Sequence, residues 1–239
     1  MRLDLALVER GLARSRSHAR QLIDAGHVRV GGGLARKASL GVGDDDAIEV
    51  DADRYVSRGA DKLLGALADS QTRVPARVLD AGASTGGFTQ VVLEAGARRV
   101  YAVDVGHGQL AAALRSDPRV VVWERTNLRD LTLDHMEGEP VGLVVADVSF
   151  ISLRLLLRPL LGVLAEDGVG LLLVKPQFEV GRKGLDGHGV VRDLGLRREA
   201  VDGVCAESEM LGWRTLWVGP SRLAGAHGNE EFFVKVGKC

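Results

Sequence analysis

Arg77-Val78-Leu79-Asp80-Ala81-Gly82-Ala83-Ser84-Thr85-Gly86-Gly87-Phe88 is the stretch that decides the fold. Arg77 to Asp80 reads as a short buried strand. The small residues that follow form a tight turn, and Gly86 to Ala95 reads as a helix. A strand that enters a glycine-rich turn and leaves as a helix is the opening unit of a doubly wound α/β sheet. Glycine and serine at the turn let the backbone approach a ligand closely, although a glycine turn can also serve only to bend the chain.

Working outward, short β-rich runs alternate with helical ones. Strands are expected at 99–104, 120–123, 141–147 and 168–175, with helices at 109–115, 151–165 and 196–211. Apolar strands buried on both faces and separated by helices predict a mostly parallel sheet. Two last runs, 215–218 and 231–236, have no helix between them and predict an antiparallel edge hairpin, for seven strands in all.

The turn also selects a ligand class. Gly82-x-Ser84-x-Gly86-Gly87 departs from the dinucleotide spacing G-x-G-x-x-G, and Asp80 would repel a pyrophosphate. A ligand carrying both an amine and a carboxylate suits it better. Backbone amides would face the carboxylate and Asp80 the positive group. Asp104 ends the second strand, where it can accept both hydroxyls of a ribose. The set Asp80, Gly82, Ser84, Gly86, Gly87 and Asp104 fits S-adenosylmethionine. A nicotinamide oxidoreductase is disfavoured on the same spacing.

Composition bounds the rest. Of 239 residues, 46% are hydrophobic and 26% charged, as in ordinary globular proteins. Cys205 and Cys239 cannot build a disulfide framework, which favours a reducing compartment. The first residues carry charges at Arg2, Asp4 and Glu9, so they do not read as a signal peptide, and no apolar run is long enough to span a bilayer. A cytoplasmic protein with no membrane partner is expected. The net charge of −1 hides an asymmetry, because residues 1–43 carry eight basic side chains against three acids. A small basic lobe ahead of an acidic remainder suits a polyanion partner, whereas scattered arginines can also be only a solvated face.

That lobe reads as two short helices and a hairpin. Leu3, Leu7 and Leu12 make one apolar face. Ser15 or Ser17 offers an N-cap for a second helix that carries Ala19, Leu22 and Ile23 and closes at Gly26. Strands follow at 27–30 and 48–50, with a turn at 31–33. The string Leu3-Asp4-x-x-Leu7-x-x-x-Gly11-Leu12-x-x-Ser15-Arg16-x-x-Ala19-x-x-x-Ile23-x-x-Gly26-x-Val28-x-Val30 resembles the RNA-binding domain first named for the fourth protein of the small ribosomal subunit. The resemblance implies that Arg14, Arg16, Arg20, Arg29 and Lys37 grip structured RNA by backbone and shape. The expected organisation is this α+β domain at 1–50, a linker at 51–56 and the large domain at 57–239.

Strand ends carry the chemistry of such a sheet. Asp147 and Lys175 each follow a buried apolar run directly, a costly place for a charge unless it is paired or used. A structural ion pair between neighbouring strand ends is the plainer explanation. Lys62, in Ser57-Arg58-Gly59-Ala60-Asp61-Lys62-Leu63, and Glu231, before Phe232-Phe233, complete a set of two lysines and two acids. Lys62, Asp147, Lys175 and Glu231 match the K-D-K-E tetrad of FtsJ-type ribose 2′-O-methyltransferases. With the basic lobe in front, the chain resembles the haemolysin-A-like (TlyA-type) ribosomal RNA methyltransferases. Tyr55 to Gly59, Asp104 to Leu110, Arg125 to Asn127 and Val174 to Glu179 are specific to that likeness.

The resemblance implies a Rossmann-like methyltransferase fold, S-adenosylmethionine as donor and methylation of a ribose 2′-hydroxyl, of cytidine, in ribosomal RNA or ribosomal subunits. It also implies that Asn127 contacts adenine, although Asn at that turn serves turn formation too. Glu231 is chosen over Glu230 because the family pattern puts an acid directly before two aromatic positions. A ribose hydroxyl must lose its proton as it attacks, and a free lysine, with a pKa of about 10.4, is a poor base until its surroundings change. Lys175 is therefore expected as base or steering group, with Lys62 tuning it and the two acids orienting both. The six histidines show no metal-ligand spacing, so no metal is expected. Gly181 to Gly189 reads as a mobile flap or a long connection. The non-catalytic alternative is an RNA-binding ribosome-assembly factor. A membrane-lytic role finds no amphipathic basic helix to support it.

Overall fold

The structure, a computed structural model, describes residues 1–13, 15–24, 26–50, 55–225 and 228–238, leaving out the side chain of residue 21. Arg14, most of the expected linker and Cys239 lie outside the described residues. The chain divides into two compact units, Met1–Arg54 and Tyr55–Cys239.

In the first unit, α1 (Leu3–Glu9) and α2 (Arg16–Asp24) pack on a small antiparallel sheet of β1 (Val28–Val30), β2 (Gly33–Leu34) and β3 (Ile48–Val50), ordered β2-β1-β3. Leu3, Leu7, Leu22, Ile23 and Val28 fill its core, and each buried aliphatic side chain is worth about 1.5–3 kcal/mol. The Ser15 hydroxyl accepts the His18 amide at 3.2 Å, which decides between the two candidate caps. Gly33, read as turn, pairs with Val30 instead.

The second unit opens with α3 (Gly59–Asp69). It continues through β4 (Arg77–Ala81), α4 (Gly87–Glu94), β5 (Arg99–Val103), α5 (Ala112–Arg115), β6 (Val120–Trp123) and β7 (Val141–Ala146). Then come α6 (Leu157–Gly162), β8 (Leu164–Val174), α7 (Pro176–Glu179), α8 (Leu194–Met210), β9 (Arg214–Pro220) and β10 (Phe232–Gly237). The sheet order is β6-β5-β4-β7-β8-β10-β9. The pairs among β4, β5, β6, β7 and β8 are parallel, and β10 runs antiparallel to both β8 and β9. The hairpin therefore closes one edge of the sheet, with its second strand on the inside.

Successive strand residues face opposite layers, so both layers are apolar. Val78, Leu143 and Phe233 pack with Leu63 and Phe88 on one side. Leu79, Val144 and Val234 pack with Leu157 and Leu160 on the other. Asp193 caps α8 by accepting the Leu196 amide at 3.0 Å.

Two expected helices are shorter than their sequence pattern. Residues 151–165 form a 3-10 turn, the six-residue α6 and the start of β8. The run is apolar throughout, so its periodicity does not separate helix from buried strand. The sheet takes the end of it, with the Val141 amide donating to the Val163 carbonyl. The helix expected at 109–115 contracts to α5, because the Ala111 amide is held by the Thr85 carbonyl of the glycine turn.

Candidate active site

The four charged residues expected to work together do converge. Lys62, Asp147, Lys175 and Glu231 line one cavity of about 590 Å³ at the carboxyl ends of the parallel strands. Lys62 Nζ donates to Glu231 Oε2 at 2.6 Å, both side chains being almost fully buried. Lys175 Nζ lies 2.5 Å from Asp147 Oδ1 and donates to Ser149 Oγ at 2.8 Å. Two lysines and two acids thus form two separate ion pairs on one cavity.

Local sequence explains how each charge gets there. Lys175 directly follows β8, and Pro176 begins α7, so the chain turns at the lysine. The Asp147 amide donates to the Ala81 carbonyl, which extends the β4–β7 pairing by one step and fixes the aspartate at the carboxyl end of β7. Lys62 is on the first turns of α3, and Gly87 admits that segment: a Cβ there would sit 2.2 Å from Ser57 Oγ. Gly225 does the same for the glutamate, since a Cβ would fall 2.4 Å from Glu231 Oε1. Glu230 points elsewhere, to Arg197 at 2.6 Å, so only Glu231 of the two joins the cluster.

A second cavity, of about 480 Å³, shares Gly82, Ser84, Asp147, Ser149 and Phe150 with the first. Asp104 and Asn127 line it. Asp104 accepts the Ser84 amide through Oδ2 (2.8 Å) and the Gly106 amide through Oδ1 (2.6 Å). Each carboxylate oxygen keeps a second lone pair. Asn127 Oδ1 accepts the Arg129 amide at 3.1 Å, so this side chain caps a 3-10 turn as well as lining the cavity. Gly82, at φ +85°, lies so close to the Asp147 backbone that a Cβ would meet its carbonyl oxygen at 2.4 Å. The turn that faces one cavity therefore abuts the strand end that serves the other.

Two of the expected cofactor contacts lie outside the linings of both cavities. Asp80 does not line either cavity: its carboxyl group is fully enclosed and accepts the Thr89 hydroxyl at 2.6 Å. Its place in β4 turns the side chain into the layer beneath α4. Burial pushes the group up to about 7, with Asp147 and Asp104 adding to the effect against the Thr89 hydrogen bond. Gly86 also faces inward, since a Cβ would sit 2.3 Å from Leu114 Cδ1, so its small size serves packing. Gly82 and Ser84 line both cavities, and Gly87 lines only the larger one.

Other residues at the site were not singled out from sequence. Phe150 is 92% exposed, adopts φ +65°, and has its ring 5.4 Å from that of Phe178. A bulky residue in the left-handed region is strained, and an aromatic ring left in solvent forgoes burial. Phe150 borders both cavities. Buried Glu179 pins its loop, accepting the Ser152 hydroxyl and the Leu153 amide at 2.6 Å each. Hydrogen bonds tie down the second half of the glycine-dense segment. Asp186 accepts the His188 and Val190 amides, and Asn229 bridges it through the Val191 amide and the Gly189 carbonyl. This brings His188 to the wall of the larger cavity.

In the first unit Arg16 and Arg20 reach Asp4, while Arg29 and Lys37 are exposed on the hairpin and the segment after it.

Known proteins share both units. The FtsJ-like methyltransferase family matches residues 55–238 and the S4 domain matches residues 1–48. The chain is 52% identical to the Mycobacterium tuberculosis protein named 16S/23S rRNA (cytidine-2′-O)-methyltransferase TlyA, over 98% of this chain and 88% of that one. It is 37% identical to the Brachyspira hyodysenteriae protein named Hemolysin A, over 98% of both. A solved structure of a hemolysin-named protein from Streptococcus thermophilus superimposes with a TM-score of 0.78 at 37% identity, covering 100% of this chain and 88% of that one. Magnesium protoporphyrin IX methyltransferase from Synechocystis has the same fold, with a TM-score of 0.52 at 13% identity over 76% of this chain and 83% of that one. Among the described residues, no helix is long and apolar enough to cross a membrane.

Proposed function

Because the chain belongs to the FtsJ-like methyltransferase family, and so is a methyltransferase, we propose that it methylates the 2′-hydroxyl of a cytidine ribose in ribosomal RNA, with S-adenosylmethionine as donor. The observation that carries this reading is the pair of ion pairs in one cavity, Lys62–Glu231 and Lys175–Asp147, beside the glycine turn.

The residues fit the donor. Asp104 offers two carboxylate oxygens to a ribose diol, and the turn at Gly82 and Ser84 provides a wall without side-chain bulk. Asn127 lines the same cavity. When bound, S-adenosylmethionine supplies an electrophilic methyl group on a sulfonium centre. Asp147, Ser149 and Phe150 border both cavities, so a ribose held at Lys175 lies next to that donor.

Lys175 Nζ, held by Asp147 and Ser149, meets the 2′-oxygen and orients its lone pair toward the methyl group. The proton that the hydroxyl loses is taken up by the Lys175–Asp147 pair. Lys62, fixed by Glu231, adds a second positive charge where the developing alkoxide needs one. Alignment of hydroxyl and methyl supplies much of the acceleration. Phe150 gives the target base a ring to stack on once it leaves the RNA. The N-terminal lobe, an RNA-binding module, supplies affinity for the folded RNA.

The test is incubation with methyl-labelled S-adenosylmethionine and unmodified ribosomal subunits, followed by mapping of the label. Label on a cytidine 2′-oxygen supports the reading. Label on a base, or on protein, overturns it.

A further inference from the structure

Asp4 sits on the first turn of α1 with its carboxylate completely covered, and three guanidinium groups cover it. Arg2 grips it as a fork, Nε to Oδ1 at 2.9 Å and Nη2 to Oδ2 at 3.2 Å. Arg16 Nη2 reaches Oδ2 at 3.3 Å and Arg20 Nε reaches it at 3.4 Å. Arg2 is itself anchored by a backbone bridge to Gly41, and Arg16 and Arg20 lie one turn apart on α2. All three arginine side chains remain about half exposed.

A structural ion pair needs one arginine per carboxylate. Among the described residues three share one, which gives these four side chains a net charge of +2, and like charges are held together at a partly exposed surface. Left alone, three arginines would spread apart to lower their repulsion and keep rotamer freedom. Asp4 prevents that, and its carboxyl group is held well below the usual range, chiefly by the hydrogen bond from Arg2. The carboxylate is therefore present at every pH at which the protein works.

We propose that Asp4 is a positioning residue for RNA binding. It gathers Arg2, Arg16 and Arg20 into one phosphate-binding cluster that grips the backbone of a folded RNA, and Arg2 belongs to the contact surface together with Arg16 and Arg20. This rests on the reading of the lobe as the RNA-binding part of the enzyme. Guanidinium forks suit phosphate oxygens geometrically, and a preorganised cluster loses less entropy on binding than three free side chains.

The proposal has an unusual sign. Asp4→Asn removes a negative charge from an RNA-facing surface, so bulk electrostatics alone would tighten binding. Positioning demands the reverse. The experiment measures Kd of the full chain for deproteinised ribosomal RNA across a series of salt concentrations, with thermal melting as the check on folding. Asp4→Asn is expected to weaken binding about tenfold, like the loss of a hydrogen bond to a charged group, and to flatten the salt dependence. Arg16→Ala and Arg20→Ala each lower the slope by about one. Arg2→Lys keeps the charge, leaves Asp4 with two arginines and loses only the fork. It covers the case in which Asp4→Asn unfolds the lobe, and a few-fold loss of affinity is expected from the missing fork.

Asp4→Asn or Arg2→Lys protein that melts normally and binds RNA as tightly as the parent, or more tightly, with an undiminished slope overturns the positioning role. If Arg16→Ala and Arg20→Ala also leave Kd unchanged, the RNA-binding reading of the lobe falls with it. Damage from those two variants beside a neutral Asp4→Asn overturns the positioning role alone.

Discussion

Lys62 and Glu231 stand 169 positions apart in the chain, yet Nζ and Oε2 are 2.6 Å apart, with both side chains almost fully buried. The pair ties the first helix of the catalytic unit to the loop before its last strand. Removing one partner strands a buried charge, which typically costs about 3–5 kcal/mol, whereas replacing both with apolar groups is often neutral. Glu231→Gln is therefore expected to lower the melting temperature by roughly 10 °C for a unit of this size. A double variant, Lys62→Met with Glu231→Leu, is expected to recover most of that loss and none of the methyl transfer. Recovery of activity with stability would show that the pair only holds the fold.

Asp80 gives a pH signature. Its pKa of about 7 in the fold lies above the ordinary 3.8, so between those values the folded state binds the extra proton. Stability from this group is thus present at low pH, falls as pH rises through that window and is flat above it. Asp80→Asn keeps an acceptor for Thr89 and cannot ionise. Its melting temperature relative to the parent is expected to rise steadily from pH 4 to pH 7.5, by several degrees in all. A difference that does not change with pH would refute the assignment.

The fold was legible because charges follow apolar runs abruptly at Asp147 and Lys175, and because Gly82 to Gly87 marks a turn no strand or helix could absorb. The N-terminal lobe was legible from the spacing of Leu3, Leu7, Gly11 and Ile23. The Lys175–Asp147 pair was legible as an ion pair between neighbouring strand ends; that Lys62 pairs with Glu231 was not, since local pattern carries no information across 169 residues. Asp80 looked like a ligand contact because sequence shows an acid at a strand end but not which layer it faces. Phe150 escaped notice because neither its exposure nor its positive φ leaves a local signal. Arg16 and Arg20 were visible as charge, but their common anchor on Asp4 depends on two helices meeting.

Gly82 and Gly96 separate close approach from backbone strain. Both have positive φ, but a Cβ at Gly82 strikes the Asp147 carbonyl oxygen, and one at Gly96 meets nothing within 4 Å. Gly96→Ala is expected to cost about 1 kcal/mol of stability and leave turnover near normal. Gly82→Ala displaces the Asp147 strand end and is expected to reduce kcat at least about a hundredfold, as small misplacements of reacting groups do. Equal effects of the two on turnover would argue against this account.

Phe150 offers a test of base handling. Base–aromatic stacking is worth about 1–3 kcal/mol, so Phe150→Ala is expected to lower kcat/KM for RNA roughly 5- to 150-fold. Phe150→Trp is expected to retain most of it. Unchanged kcat/KM in the alanine variant, measured by steady-state methyl transfer, would remove the ring from the substrate site.

The central claim is that the two ion pairs lining one cavity carry methyl transfer, and Lys175→Ala tests it most directly. The measurement is the single-turnover rate of methyl transfer to ribosomal RNA, made on protein whose melting curve and S-adenosylmethionine affinity match the parent. A rate reduced by about a thousandfold or more, within the range of acid–base catalysis, is expected. A rate within a few-fold of the parent would contradict the account.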